Sequence, residues 1–280
     1  MHEPCQVCGA SDIADYVRRE DGYYVRCRAC GLIWNPDAES LLAEASDHYD
    51  APEYFAGYQR RFARKVRAAT RRLDAVATYA PAGRLLDIGC GMGDTLVAAR
   101  QMGYQAEGLD IGAFPVEHCA GLGFQVHRAS ITDTGLPDAS FDVATLWDVI
   151  EHIPRSADGL REVSRILKPG GVAAIIAPSG AYLKAHLLRN TYKGYGGLWA
   201  KTHFVYHNPA TLARTLRAVG LEPLPLPVLH RGAIARGVAP AIGELISALP
   251  RTAGERLRGA VRLNRNLFVL ARKIGLPAGQ

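Results

Sequence analysis

Short apolar runs at 84–88, 105–109, 124–128, 141–146 and 171–177 alternate with segments of helical periodicity. Runs of strand length separated by helices predict an α/β fold, a mostly parallel sheet doubly wound with helices. Right-handed crossovers then bring the carboxyl ends of the strands to one edge, where ligands of such sheets bind. Ahead of the sheet, Phe62, Val66, Ala69, Leu73 and Val76 recur at helical spacing while Arg60, Arg64, Arg67 and Arg71 fall on another face. An amphipathic helix should pack there. Behind the sheet, Asn208 and Pro209 carry the N-cap and first-turn signals of a helix ending near Gly220, and 267–272 reads as a last strand.

The chain also carries pieces outside this core. The segment 182–207 is rich in aromatic and hydrogen-bonding side chains and reads as a lid over the cleft, with His203, Tyr206 and His207 as acceptor-binding or catalytic candidates. In 233–262, Ile234, Val238, Ile242, Leu245, Ile246 and Leu249 fit one side of a helix, and Arg256, Arg258 and Arg262 follow. A packed subdomain is the plainer reading of this insert; a cover for an apolar acceptor, a dimer contact or a membrane-surface contact are the sharper ones.

The first two strands carry the candidate chemistry. Leu85-Leu86-Asp87-Ile88-Gly89-Cys90-Gly91-Met92-Gly93-Asp94 places an acid and three alternating glycines where a strand hands over to a helix. Glycines there let the backbone turn sharply and approach a ligand. A dinucleotide fingerprint spaces its glycines differently and sets pyrophosphate on the helix N-terminus, where Asp94 would repel it. Asp110 ends the next strand about 20 residues on, the place of a carboxylate that accepts ribose hydroxyls.

This set resembles motif I of the class I S-adenosylmethionine-dependent methyltransferases, and the resemblance covers roughly residues 80–180. It implies that Asp87, Gly89, Gly91, Gly93, Asp110 and Ile111 line a site for S-adenosylmethionine, with Asp87 serving its cationic amino-acid end. By position, Ser130 and Ile131 fall at the adenine, and Trp147 and Asp148 beside the methionine moiety. His152, about one turn further on, is the leading general base because imidazole titrates near neutrality; a histidine that only orients loops is the alternative. Asp142 should order a strand entrance instead.

Cys5-Gln6-Val7-Cys8 and Cys27-Arg28-Ala29-Cys30 are two C-x2-C pairs 18 residues apart, the pattern of a four-cysteine zinc ribbon. Such a closed site serves folding rather than chemistry. Cys119, without a partner at metal spacing, reads as a small buried apolar residue. The expected division is a zinc module at 1–35, a linker and basic helix at 36–80, and the methyltransferase domain at 81–280.

The net charge of +6 is local: 58–72 hold seven basic residues and no acid, 231–280 hold nine basic and two acidic, and the rest is net acidic. The Arg60–Arg72 stripe is a solvated face or a contact for an anionic or lipid-linked substrate. No stretch reaches about 18 apolar residues, so no transmembrane segment is expected. The amino terminus lacks the pattern of a secretion signal, so a soluble, cytoplasmic protein is expected. The order of zinc module then methyltransferase resembles a bacterial group acting on sugars, glycolipids and secondary metabolites. The expected activity is transfer of the sulfonium methyl group to an oxygen or carbon of a small-molecule acceptor, with His152 removing the acceptor's proton and His207 as its candidate helper. An rRNA methyltransferase with a zinc module and a non-catalytic binding module are the alternatives; nucleic acid is disfavoured because no N/D-P-P-Y tetrapeptide is present.

Overall fold

The computed structural model describes residues 2–19, 22–45, 58, 60–182, 202–225 and 266–274. The chain opens with β1 (Ile13–Arg19), β2 (Gly22–Cys27), β3 (Ile33–Trp34) and α1 (Ala38–Ala45), followed by α2 (Phe62–Ala77). The main domain runs β4 (Arg84–Ile88), α3 (Asp94–Gln101), β5 (Gln105–Asp110), α4 (Ala113–Gly121), β6 (Gln125–Arg128) and β7 (Phe141–Trp147). It continues through a 3-10 turn (Ile150–His152), α5 (Ser156–Ile166), β8 (Leu167–Pro178), β9 (Val205–Tyr206), α6 (Pro209–Ala218), β10 (Leu221–Leu224) and β11 (Asn266–Lys273).

Seven strands form one sheet in the order β10-β11-β8-β7-β4-β5-β6. β8, β7, β4, β5 and β6 are parallel, and β11 runs antiparallel beside β8. The five parallel strands and β11 match the sequence expectation closely. β10 was not expected: its Leu-Glu-Pro-Leu sequence is short and proline-bearing, and it holds only an edge position, where proline is tolerated.

Because strand side chains alternate, each strand feeds two cores. Leu86, Ile88, Ala144, Leu146 and Ile175 pack on one face against Leu160, Val163, Leu212 and Leu216 of α5 and α6. Leu85, Val143, Ala174 and Leu270 pack on the other against Ala69, Leu73 and Val76 of α2 and Ala98 and Ala99 of α3. The register puts Asp87 opposite Thr145 and Gly108, and the ends of β4, β5 and β7 at one edge. Asp142 works at the opposite end, accepting from Arg84 N–H at 2.8 Å and from Lys168 Nζ, as expected of it.

The second sheet, β1-β2-β3-β9, borrows its last strand from far along the chain: Ile33 pairs with Tyr206 and Trp34 with Val205. The described end of the expected lid, 202–207, is therefore tied to the amino-terminal module. Residues 183–201 and 233–262 lie outside the described residues, as do 46–57. No described helix is long and apolar enough to cross a membrane.

Candidate active site

The glycine loop after β4 is fastened from three sides. Gly89 and Cys90 N–H donate to the Leu109 carbonyl at 2.7 and 3.1 Å. Gly91 N–H donates to Asp110 Oδ2 at 2.9 Å, and Gly112 N–H donates to Asp110 Oδ1 at 3.0 Å. Asp110 thus clamps the loop to the tip of β5 through both carboxylate oxygens. Cys119, fully buried as expected, also donates its thiol to the Gly91 carbonyl at 3.3 Å, a supporting role with no local sequence signal. Gly89 has φ 69°, and a Cβ there would stand 2.8 Å from Val149 Cγ2, so only glycine fits.

Asp87 lies under this loop, 2% exposed, accepting from Thr145 Oγ1 at 2.6 Å. Burial pushes its carboxyl up to about 8; the Thr145 bond opposes this, while the charges of Asp94 and Asp110 add to it. Three carboxylates therefore converge on one loop, a field that favours a cation and disfavours phosphate.

α2 forms the neighbouring wall. Its Lys65 and Arg72 are half-buried, whereas Arg60, Arg61, Arg64, Arg67 and Arg71 are exposed. The Lys65 ammonium lies 3.7 Å from the Tyr58 ring centroid, and the Arg72 guanidinium 5.4 Å from that of Trp147. Burial lowers the Lys65 ammonium, and Asp94 and Asp148 counter it. The basic stripe thus divides into a solvated face and two cations turned toward the carboxylates.

At the end of β7, the Trp147 ring lies tilted against Phe268 with centroids 6.1 Å apart, and Asp148 turns with φ 57°, its N–H donating to the Ile176 carbonyl at 2.8 Å. Ser130 is exposed and bonded to Thr132, Ile131 belongs to the core beside Ile153, and Ile111 is 42% exposed next to Asp110.

The following 3-10 turn brings the sequence candidates His152 and His203 together with Glu151, which the sequence did not single out. Glu151, His152 and His203 place one ligand atom each within 4.8 Å of one another. Glu151 is 1% exposed, and neither carboxylate oxygen meets a donor among the described residues. Burial raises its carboxyl well above the ordinary range, and the Asp148 charge adds to this. His152 bonds the Thr202 carbonyl through Nδ1 at 2.6 Å and meets the His203 ring edge-on at 4.7 Å. Burial brings His152 down to about 4 against that bond, so the imidazole is neutral. His207 is buried elsewhere, with Nε2 at 2.8 Å from Ser156 Oγ and Nδ1 at 3.3 Å from Thr211 Oγ1. It belongs to the packing of α5 on α6 and does not join His152.

The four cysteines do converge. Cys5 Sγ is 3.6 Å from Cys30 Sγ, Cys8 Sγ is 3.5 Å from Cys27 Sγ, and all four sulfurs lie within 4.8 Å. Thiolates at about 2.3 Å from one zinc stand about 3.8 Å apart, so the set fits that ion. Among the described residues, Val25, Leu32, Trp34 and Val205 are the buried apolar residues packed with the cysteines, and Val7, Ala10, Ile13 and Tyr23 are partly buried against them. Asn208 Nδ2 donates to the Cys30 carbonyl at 2.8 Å, and Gln6 Nε2 to the Pro154 carbonyl at 3.0 Å, joining this module to the main domain.

A family model described as a methyltransferase domain matches residues 55–226. The chain is 30% identical over 174 residues to the 27-O-demethylrifamycin SV methyltransferase of Amycolatopsis mediterranei, covering 56% of this chain and 61% of that protein. It is 31% identical over 176 residues to the ubiquinone biosynthesis O-methyltransferase of Ralstonia nicotianae, covering 55% of this chain and 70% of that protein. In the Amycolatopsis protein, and in the ubiquinone biosynthesis O-methyltransferase of Aeromonas salmonicida at 62%, the chain spans less than two thirds of the relative's length. Among solved structures, a SAM-dependent methyltransferase from Archaeoglobus fulgidus superposes with a TM-score of 0.54 at 21% identity, over 79% of this chain and all of that one. The complex of a Haloferax volcanii methyltransferase with its Trm112 activator gives 0.56 at 18% identity, over 82% and 98%.

Proposed function

Because the chain belongs to the methyltransferase-domain family, we propose that it transfers the methyl group of S-adenosylmethionine to an oxygen of a small organic acceptor. Oxygen is favoured over carbon because the relatives are named for O-methylation. A carbon acceptor, or a sugar or glycolipid, comes second. The observation that carries the reading is the Asp110 carboxylate, held between the N–H groups of Gly91 and Gly112 at the tips of β4 and β5.

S-adenosylmethionine bound there would supply an electrophilic methyl carbon to the acceptor oxygen, with its sulfur leaving as a neutral thioether. The Asp110 carboxylate would accept from the ribose hydroxyls. Asp87 and Asp94 set the negative field for the cationic amino-acid end. Ile111, Ser130 and Ile131 would border the adenine, and Trp147 and Asp148 the methionine chain. The acceptor's proton leaves at the Glu151–His152–His203 group, in which His152 is the neutral imidazole. His207, bonded to Ser156 and Thr211, positions the acceptor-side backbone. Cys5, Cys8, Cys27 and Cys30 would hold a structural zinc, and the exposed arginines on and before α2 would meet an anionic group on the acceptor. Most of the rate enhancement comes from holding oxygen, methyl carbon and sulfur in line in a water-poor cleft.

Calorimetry with S-adenosylmethionine and transfer of labelled methyl into hydroxylated aromatic and alcohol acceptors test this. One cofactor per chain and label in an ether product are expected. No binding of the cofactor or of its demethylated product would refute the reading.

A further inference from the structure

We propose that Glu151, His152 and His203 form a site for a divalent first-row metal ion, beside the point where the acceptor meets the methyl group. The first support is Glu151, a fully buried carboxylate whose two oxygens meet no donor among the described residues. A carboxylate so placed must be protonated or neutralised by a cation.

The second support is the tautomer of His152. Its Nδ1 lies 2.6 Å from the Thr202 carbonyl, which can only accept, so the proton sits on Nδ1 and the lone pair on Nε2. Metal-ligating histidines are oriented in the same way, by donating the other ring N–H to a carbonyl or carboxylate. The third is the anchoring of the other two residues. Phe204 N–H donates to the Glu151 carbonyl at 2.6 Å, and Tyr24 Oη donates to the His203 carbonyl at 2.9 Å. The three ligand atoms already lie within 4.8 Å of one another. Donors at about 2.1 Å from one ion stand at most about 4.2 Å apart, so the side chains need move only about half an ångström.

Two imidazoles and one carboxylate suit Zn2+, Mn2+, Fe2+ or Co2+ better than Mg2+ or Ca2+, and three protein ligands leave positions open. A hydroxyl bound there would lose its proton near neutrality, as metal-bound water does. That role rests on the methyl-transfer reading above; the ion site itself does not.

Equilibrium dialysis of the full chain against Zn2+, followed by elemental analysis, tests the site. Glu151→Gln and His203→Ala should each hold one equivalent fewer than the wild type, while S-adenosylmethionine affinity measured by calorimetry stays within about twofold. If both variants keep the wild-type metal content, the site is refuted; if Glu151→Gln fails to fold, His203→Ala decides alone. A protein that takes the extra ion but binds no cofactor would retain the site and overturn the methyl-transfer reading instead.

Discussion

Cys5, Cys8, Cys27 and Cys30 converge because two tight turns deliver them in pairs, whereas Glu151 and His203 converge only because a distant strand folds back. The cysteine group is all sulfur and, among the described residues, packs in a small apolar cluster apart from the two cores of the main sheet. Its geometry is therefore expected to depend on an ion, because so small a core does little to fix it. The Glu151 group is nitrogen and oxygen, and it stands at the edge of a sheet whose two cores fix the backbone with or without an ion. The contrast also has a direction. Tyr24 bonds the His203 backbone, Asn35 N–H donates to the Phe204 carbonyl at 2.8 Å, and β3 pairs with β9, so the cysteine module holds part of the other group in place.

The largest expected effect tests that direction. Cys27→Ser should lose one zinc, worth on the order of 10 kcal/mol in small zinc modules, and with it the order of β1–β3. Methyl transfer should then fall by at least tenfold while the seven-stranded sheet keeps its circular dichroism. Glu151→Gln should leave the cysteine site and its zinc untouched. Equal damage in both directions would remove the asymmetry.

Next in size, Asp110→Ala should weaken S-adenosylmethionine binding by about 1–3 kcal/mol, the scale of lost charge-assisted hydrogen bonds, without altering zinc content. Calorimetry at fixed pH checks it, and unchanged affinity would take Asp110 out of the site.

A third effect comes from pH. Asp87, pushed up to about 8 by burial, holds a proton near neutrality. A cationic ligand favours its ionised form, so affinity should climb from pH 6 to about 8 and then level, with proton release visible as a buffer-dependent heat. Its folded-state value exceeds the unfolded one, so its stabilising contribution is full below about pH 4 and is lost as pH rises through 8. His207 has the opposite sense: burial lowers it to about 4, so stability should fall as pH drops from about 6.5 toward 4. Asp87→Asn should flatten the first dependence and leave the second.

The smallest effect lies on the seam between the two regions. Asn208 caps α6 through the N–H groups of Ala210 and Thr211 and donates to the Cys30 carbonyl. Asn208→Ala should cost about 1 kcal/mol, the usual value of an N-cap, read as a lower melting temperature. A melt that splits into two transitions would show that the seam couples the regions.

Local spacing sufficed for whatever residues near in sequence decide. The five parallel strands, α2, α6, the Gly89–Gly93 loop and the two C-x2-C turns all follow from period, glycine placement and capping residues. Tertiary structure decided the remainder. It brought Tyr206 to Ile33, His203 to Glu151 and Cys119 under Gly91, and it turned Lys65 and Arg72 inward while leaving Arg60, Arg64, Arg67 and Arg71 outside. The partners in these contacts are far apart in sequence, or differ only in which way one helix face is rolled. No residue spacing encodes such choices, because they are settled by which distant surfaces bury each other.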